Sequence, residues 1–140
     1  MLDMVLVLLG GSQGIVTWHF RFHHATTLLT AWMGLSQPYD VPTILANAGH
    51  HAVMYPYLGG LRFLGPLLPF TGALQLLSGL AVTGGALWRR FGSEAPPCGG
   101  SAETDAFLLA MYLAYFCLFL WTDVIYPRLN SAAAPATKAE

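Results

Sequence analysis

Four long apolar runs, separated by short glycine- and proline-bearing stops and one polar stretch, constrain this chain more than any other feature. They cover about residues 18–35, 41–58, 66–88 and 106–126. A helix that crosses a bilayer needs about 20 predominantly apolar residues, because the hydrocarbon core is about 30 Å thick. Of the 140 residues 55% are hydrophobic and 9% charged, against roughly 25% charged in soluble domains. That is too little polar surface to clothe a globule in water. The expected architecture is all-α: a polytopic transmembrane helix bundle with about four complete spans plus a partial N-terminal helix. The mean hydropathy of +0.54 points the same way.

The stops between runs have physical reasons. Residues 2–9 are apolar but too few to span, and they end in Gly10-Gly11-Ser12 like the tail of a helix. Ser36-Gln37-Pro38 closes the next run and Gly59-Gly60 the one after it, since glycine and proline end helices. Pro66 suits a first turn, where its missing N–H goes unnoticed. Residues 89–105, with Pro96-Pro97 and Gly99-Gly100, read as a solvated loop, and the last run stops at Pro127-Arg128. Residues 1–128 are therefore expected to form the transmembrane domain, and residues 129–140, small and polar, a disordered tail. Asp3, with no basic segment before the apolar run and no small-residue cleavage site after it, argues against a cleaved signal peptide. A net charge of −1 with no Lys/Arg run excludes nucleic acid as a partner. Cys98 and Cys117 make no metal or disulfide framework by spacing. Arg62, Arg128 and Lys138 fall on one side of the expected topology and Arg89 and Arg90 on the other, a narrow vote on orientation.

All five histidines, His19, His23, His24, His50 and His51, lie inside the first two of the four long apolar runs. Ionisable groups at membrane depth are costly and face a bundle interior or a polar cavity. At about 100° per residue, His19 and His23 share a helix face, continued by Thr26, Thr27 and Thr30. Asn47, His51 and Tyr55 recur at steps of four on the next run, and Thr71 and Gln75 on the one after. Gly72 and Gly79 allow close helix approach there. Three neighbouring helices thus carry polar stripes that would meet around an enclosed chamber. A single buried histidine is more often a packed core residue, and a lone Asn or Gln is often interhelical glue worth about 1 kcal/mol. The concentration of such groups on adjacent helices favours a functional site.

The order of these residues is informative. Phe22-His23-His24-Ala25-Thr26, with Leu28-Leu29 and Trp32, resembles the His-x-x-His-His box of the fatty-acid elongase (ELO) family. Asn47-Ala48-Gly49-His50-His51-Ala52-Val53-Met54-Tyr55-Pro56-Tyr57 is similar to that family's Asn-x-x-Val-His-x-x-Met-Tyr-x-Tyr-Tyr box. Gln75-Leu76-Leu77-Ser78-Gly79 resembles its glutamine motif, and Met111-Tyr112-Leu113-Ala114-Tyr115-Phe116 its Met-Tyr-Leu-x-Tyr segment. Leu2-Asp3 corresponds to the end of its Glu-Leu-x-Asp segment. The four main motifs stand in the family's order, and with Leu2-Asp3 the resemblance covers nearly the whole chain. Several positions depart from it. The first box histidine stands one residue early, at His19 with Phe20 in its place, a rotation of about 100° on a helix. His50 and Leu58 replace a valine and a tyrosine, and the basic residues usual before the first box are absent from residues 10–14.

The resemblance implies a seven-helix enzyme of the endoplasmic reticulum membrane, in contact with lipid and with the other elongation-cycle enzymes. Such an enzyme condenses a long-chain acyl-CoA with malonyl-CoA to a 3-ketoacyl-CoA, with no metal or organic cofactor. His23, His24 and His51 fall on its catalytic positions, and His19, Asn47, Met54, Tyr55, Tyr57 and Gln75 on positions that bind substrate. Imidazole suits the task, being a nucleophile that is neutral near pH 7. His23 is expected to accept the acyl group, with His51 as its partner and Asn47 and Gln75 as hydrogen-bond donors to developing negative charge. The chain begins where the family's third helix would be ending. A bundle open on that side sets its polar stripe against lipid, so impaired activity is expected of so short a form. Competing readings are a non-catalytic membrane partner or scaffold of elongases, a fragment of a membrane di-iron desaturase or hydroxylase, and a small transporter. Di-iron enzymes resemble chains with more histidines, in three boxes.

Overall fold

The computed structural model describes residues 18–35, 37, 41–92 and 100–133, with side chains through residue 130. The expected N-terminal partial helix, the Leu2-Asp3 match and Cys98 lie outside the described residues. Helix α1 spans Trp18–Leu35 and α2 Val41–Leu58. A 3-10 turn, Arg62–Leu67, leads into α3, Leu68–Gly92. Helix α4 covers Ala102–Phe119, passes through a π turn, Leu120–Ile125, and continues as α5, Tyr126–Ala133. Every regular element among the described residues is helical.

Local chemistry sets the boundaries. In α1 the hydroxyls of Thr26 and Thr27 donate back to the carbonyls of Phe22 and His23, at 2.7 and 2.5 Å. Such back-bonding satisfies a polar group where no water is at hand. Helix α2 closes on Gly60, whose φ of +110° favours a residue without a Cβ. There Gly59 N–H donates to the Tyr55 carbonyl at 2.8 Å and Leu61 N–H to that of Pro56 at 3.0 Å. Both edges of the stretch expected to be a solvated loop are helical, since α3 runs on to Gly92 and α4 starts at Ala102, while residues 93–99 between them lie outside the described residues. Ser101 caps α4 by accepting from Thr104 N–H at 3.1 Å, and Glu103 and Asp105 sit in the first turn, where the helix dipole favours negative charge. Asp105 is fully buried and accepts from Arg90 Nε at 2.5 Å, which ties the end of α3 to the start of α4. Pro127 does not end the last helix. It stands in the first turn of α5, directly after the π turn, so residues 129–133 of the expected tail are helical.

Helix α3 packs between α2 and α4, and α1 packs along α4 and the π turn. The pairs Asn47–Gln75 and His50–Thr71 make α2 antiparallel to α3. Thr26–Tyr115 and His19–Asp123 make α1 antiparallel to α4. The core is Leu76, Tyr115 and Phe119, flanked by Phe22, Ala73, Met111 and Tyr112. Gly79 lets α3 and α4 approach: a Cβ there would lie 2.5 Å from the Tyr112 ring. Helices α1 and α2 meet mainly through side chains, across a gap lined by His23, His24 and His51.

Two helical stretches are long and apolar enough to cross a membrane, Arg62–Gly92 and Ala102–Asn130. Only 28% and 17% of the residues in their most apolar parts are buried in the bundle, unlike the core helix of a soluble domain. Four spans were expected. Helices α1 and α2 have 18 residues each, and Arg21, the histidines, the threonines and Asn47 dilute their apolarity. Even so, Leu28, Trp32, Leu45, Trp88, Leu113 and Trp121 all stand exposed on the outside, a surface suited to lipid.

Candidate active site

The site begins with the two adjacent histidines of α1. Successive residues on a helix point about 100° apart, so both can be buried only if protein covers two sides of α1. Helix α4 covers one and α2 the other. His23 and His24 are 7% and 8% exposed. The His23 ring stands perpendicular to Tyr115, centroids 4.7 Å apart, and the His24 ring lies 6.1 Å from that of His51 on α2. Tyr115 is held in turn by Thr26, with 2.7 Å between their oxygens. Thr26 spends its only proton on the Phe22 carbonyl, so Tyr115 is the donor in this pair.

Hydrogen bonds fix the tautomers of three other histidines. His51 Nδ1 is 2.9 Å from the Asn47 carbonyl, which accepts only, so Nδ1 carries the proton and Nε2 keeps a lone pair. His50 Nδ1 lies 2.9 Å from Thr71, whose hydroxyl already donates to the Leu67 carbonyl, so His50 is again the donor. His19 Nδ1 lies 2.8 Å from Asp123 Oδ2, a carboxylate that accepts. His23 differs from all three. Both of its ring nitrogens are buried, and neither has a hydrogen-bond partner among the described residues. An unsatisfied buried polar group costs about 1–3 kcal/mol, and such positions are filled by an ordered water or ion or kept for a catalytic role.

Three cavities meet at these groups. One of about 170 Å³ is lined by His23, Thr27, Asn47, Gln75 and Tyr115, among others. A second, of about 180 Å³, lies on the far side of Gln75 against His19, His50, Met54, Tyr57 and Asp123. A third, of about 320 Å³, opens between α1 and α2 at His23, His24, Asn47 and His51. Asn47 Nδ2 donates to Gln75 Oε1 at 2.9 Å, which leaves the Gln75 amino group at the junction of the first two. The chamber can therefore offer an unpaired imidazole, a second imidazole with a defined lone pair, and amide N–H donors.

The residues singled out from the sequence are not all in one space. His23, His24, His51, Asn47 and Gln75 converge on the first and third cavities, and His19, Met54 and Tyr57 line the second. Tyr55 packs its ring against His51 at 5.3 Å but is half exposed and lines none of the three. Tyr57 lies beneath the Arg62 guanidinium, 5.0 Å from it. Asp123 went unnoticed in the sequence, although a carboxylate inside an apolar run is itself a signal. Among the described residues, no three His, Cys, Asp or Glu side chains converge as a metal site.

Comparison with known proteins bears on this geometry. Residues 1–122 match the GNS1/SUR4 (ELO) family. The chain is similar to "Fatty acid elongase 1" of Trypanosoma brucei brucei (strain 927/4 GUTat10.1), 33% identical over 131 residues, covering 85% of this chain and 42% of that protein. It thus spans about two fifths of the relative's length. No solved structure matches.

Proposed function

The chain belongs to the GNS1/SUR4 (ELO) family of fatty-acid elongases, and on that premise we propose that its histidine chamber condenses a long-chain acyl-CoA with malonyl-CoA to a 3-ketoacyl-CoA. The observation that carries this reading is His23, buried, held against Tyr115, and unpaired at both ring nitrogens among the described residues. A neutral imidazole of this kind attacks a thioester carbonyl, CoA departs as the thiol, and an acyl-imidazole remains. Malonyl-CoA then loses carbon dioxide, its enolate takes the acyl group from His23, and the departing His23 imidazole takes up a proton to regain its N–H. His51 Nε2, which keeps its lone pair because Nδ1 donates to Asn47, acts as the base or, once protonated, supports the enolate electrostatically. The remaining amide protons of Asn47 and Gln75 face the oxygen on which charge develops. His24 meets the rings of both His23 and His51 edge to face and completes the catalytic group. Met54 and Tyr57 bind substrate in the second cavity, and Tyr55 backs the His51 ring. Neither half-reaction calls for a metal or an organic cofactor.

In this reading α1 and α2 cross the membrane beside α3 and α4 within one transmembrane domain, residues 1–128. The protein resides in the endoplasmic reticulum, in contact with lipid and with other enzymes of the elongation cycle. The test uses the purified 140-residue chain in phosphatidylcholine vesicles, supplied with palmitoyl-CoA and labelled malonyl-CoA. Labelled 3-ketoacyl-CoA and carbon dioxide are expected, together with an acyl group on His23 by peptide mass spectrometry. Unchanged acyl transfer in a folded His23→Ala protein overturns the reading. So does an inert chain that nevertheless binds active elongases, the signature of a scaffold.

A further inference from the structure

The geometry points to a base–carboxylate pair, His19 with Asp123, that takes the proton His23 sheds as it is acylated. The inference rests on the acyl-His23 reading above and goes beyond it by assigning a base and a positioning residue. Asp123 reaches His19 from a chain position 104 residues away. It stands in the π turn, a helix irregularity often found at functional sites. Its Oδ2 accepts from His19 Nδ1 at 2.8 Å, so the lone pair of His19 is on Nε2. That nitrogen is buried and has no hydrogen-bond partner among the described residues. The His19 ring lies 5.7 Å from that of His23, with Phe119 closing its other side at 5.5 Å.

The proton balance calls for such a group. Neutral His23 carries one N–H. When its other nitrogen bonds the acyl carbon and the C–S bond breaks, the N–H proton must leave before the acyl-imidazole is neutral. Passed to His19 Nε2, it makes an imidazolium that the Asp123 carboxylate compensates, and it goes on to the departing thiolate, which leaves as CoA thiol. The other two rings against His23, those of Tyr115 and His24, are otherwise engaged. Tyr115 gives its own proton to Thr26, and His24 lays its ring on Phe20 at 4.2 Å. Asp123 touches no reacting atom. It is a positioning residue that acts through His19, as a carboxylate orients the base in a hydrolase triad.

The experiment follows acylation alone, with palmitoyl-CoA and no malonyl-CoA, in the full chain in phosphatidylcholine vesicles. Free thiol and acyl-His23 are read against time. His19→Ala and Asp123→Ala are expected to slow both about 100-fold, within the range of a lost general base. The palmitoyl-CoA concentration for half-maximal rate should not move, and the double variant should be no slower than His19→Ala. Asp123→Asn keeps an acceptor but no charge, and it should be as slow as Asp123→Ala; wild-type rate in Asp123→Asn reduces the pair to scaffolding and overturns the inference. In the unaltered chain, solid-state nitrogen NMR should find His19 protonated at Nδ1 and bare at Nε2, and the opposite tautomer also overturns it. A wild-type chain that forms no acyl-His23 brings down the acyl-histidine reading itself. Acylation that proceeds in wild type and is untouched in every variant brings down this inference alone.

Discussion

His23 meets Tyr115 edge to face, ring centroids 4.7 Å apart and planes at 85°, so the candidate nucleophile of α1 is set by a residue of α4. Thr26, three residues after His23, holds the same tyrosine by its hydroxyl. The contact therefore has two parts, a ring that shapes the chamber and a hydrogen bond that aims the ring.

Tyr115→Phe removes only the second part. A net loss of about 1 kcal/mol is expected for one buried hydrogen bond, with condensation nearly unchanged. Tyr115→Ala removes the ring as well and should cost about 3–5 kcal/mol, as for other large aromatic truncations, while freeing His23 to turn. Thermal unfolding in detergent and the initial condensation rate separate the two variants.

The Asn47–Gln75 bond distinguishes glue from chemistry. Gln75→Leu should destabilise by about 1 kcal/mol if the amide merely joins α2 to α3. If its amino group serves the developing oxyanion, the maximal rate should also fall about 100- to 1,000-fold. Melting temperature and maximal rate measured on the same preparation decide; a loss of stability alone assigns the pair to packing.

His51→Ala should split the reaction in two. Acyl-His23 and the first CoA thiol are expected to form, while 3-ketoacyl-CoA falls about 100-fold or more, the scale of a lost acid–base group. Accumulation of the acyl adduct by mass spectrometry checks it. Equal loss of both half-reactions places His51 at the first step instead.

Arg90 and Asp105 form a buried pair remote from the histidines. Asp105→Ala leaves a guanidinium without this carboxylate, and about 3–5 kcal/mol of stability should go with it. In protein that remains folded, the palmitoyl-CoA dependence of acylation should be unchanged. Thermal unfolding, with acylation assayed well below the transition, checks both halves.

Gly79→Ala places a Cβ 2.5 Å from the Tyr112 ring. Overpacking of this kind costs about 1–3 kcal/mol, and separating α3 from α4 should loosen Tyr115 on the same helix. A lower melting temperature with a parallel fall in acyl-His23 formation is the expected result.

Much of the fold was legible because the apolar helices are punctuated sharply. The stops at Pro38 and Gly59-Gly60 placed α1 and α2 at the residues where the structure has them. Polar residues at the other ends misled, since Arg89, Arg90, Ser101, Glu103 and Asp105 suggest a loop. In the bundle they extend, cap or pair the helices α3 and α4. A helix end needs charge and capping groups as much as a loop does, and composition does not separate the two.

By itself the sequence determined the family of the protein and named candidate residues for its site. Apolar runs with histidines in them leave few physical solutions, and the order of four motifs matches one family. The tertiary structure decided which of these groups face one another. It divided the chamber into three cavities around Gln75 and Asn47, turned Tyr55 half outward, and brought Asp123 to His19. Periodicity along one helix gives the direction of a side chain. Its partner on another helix depends on the rotation and offset of both, and here on a π turn that shifts the register at Asp123.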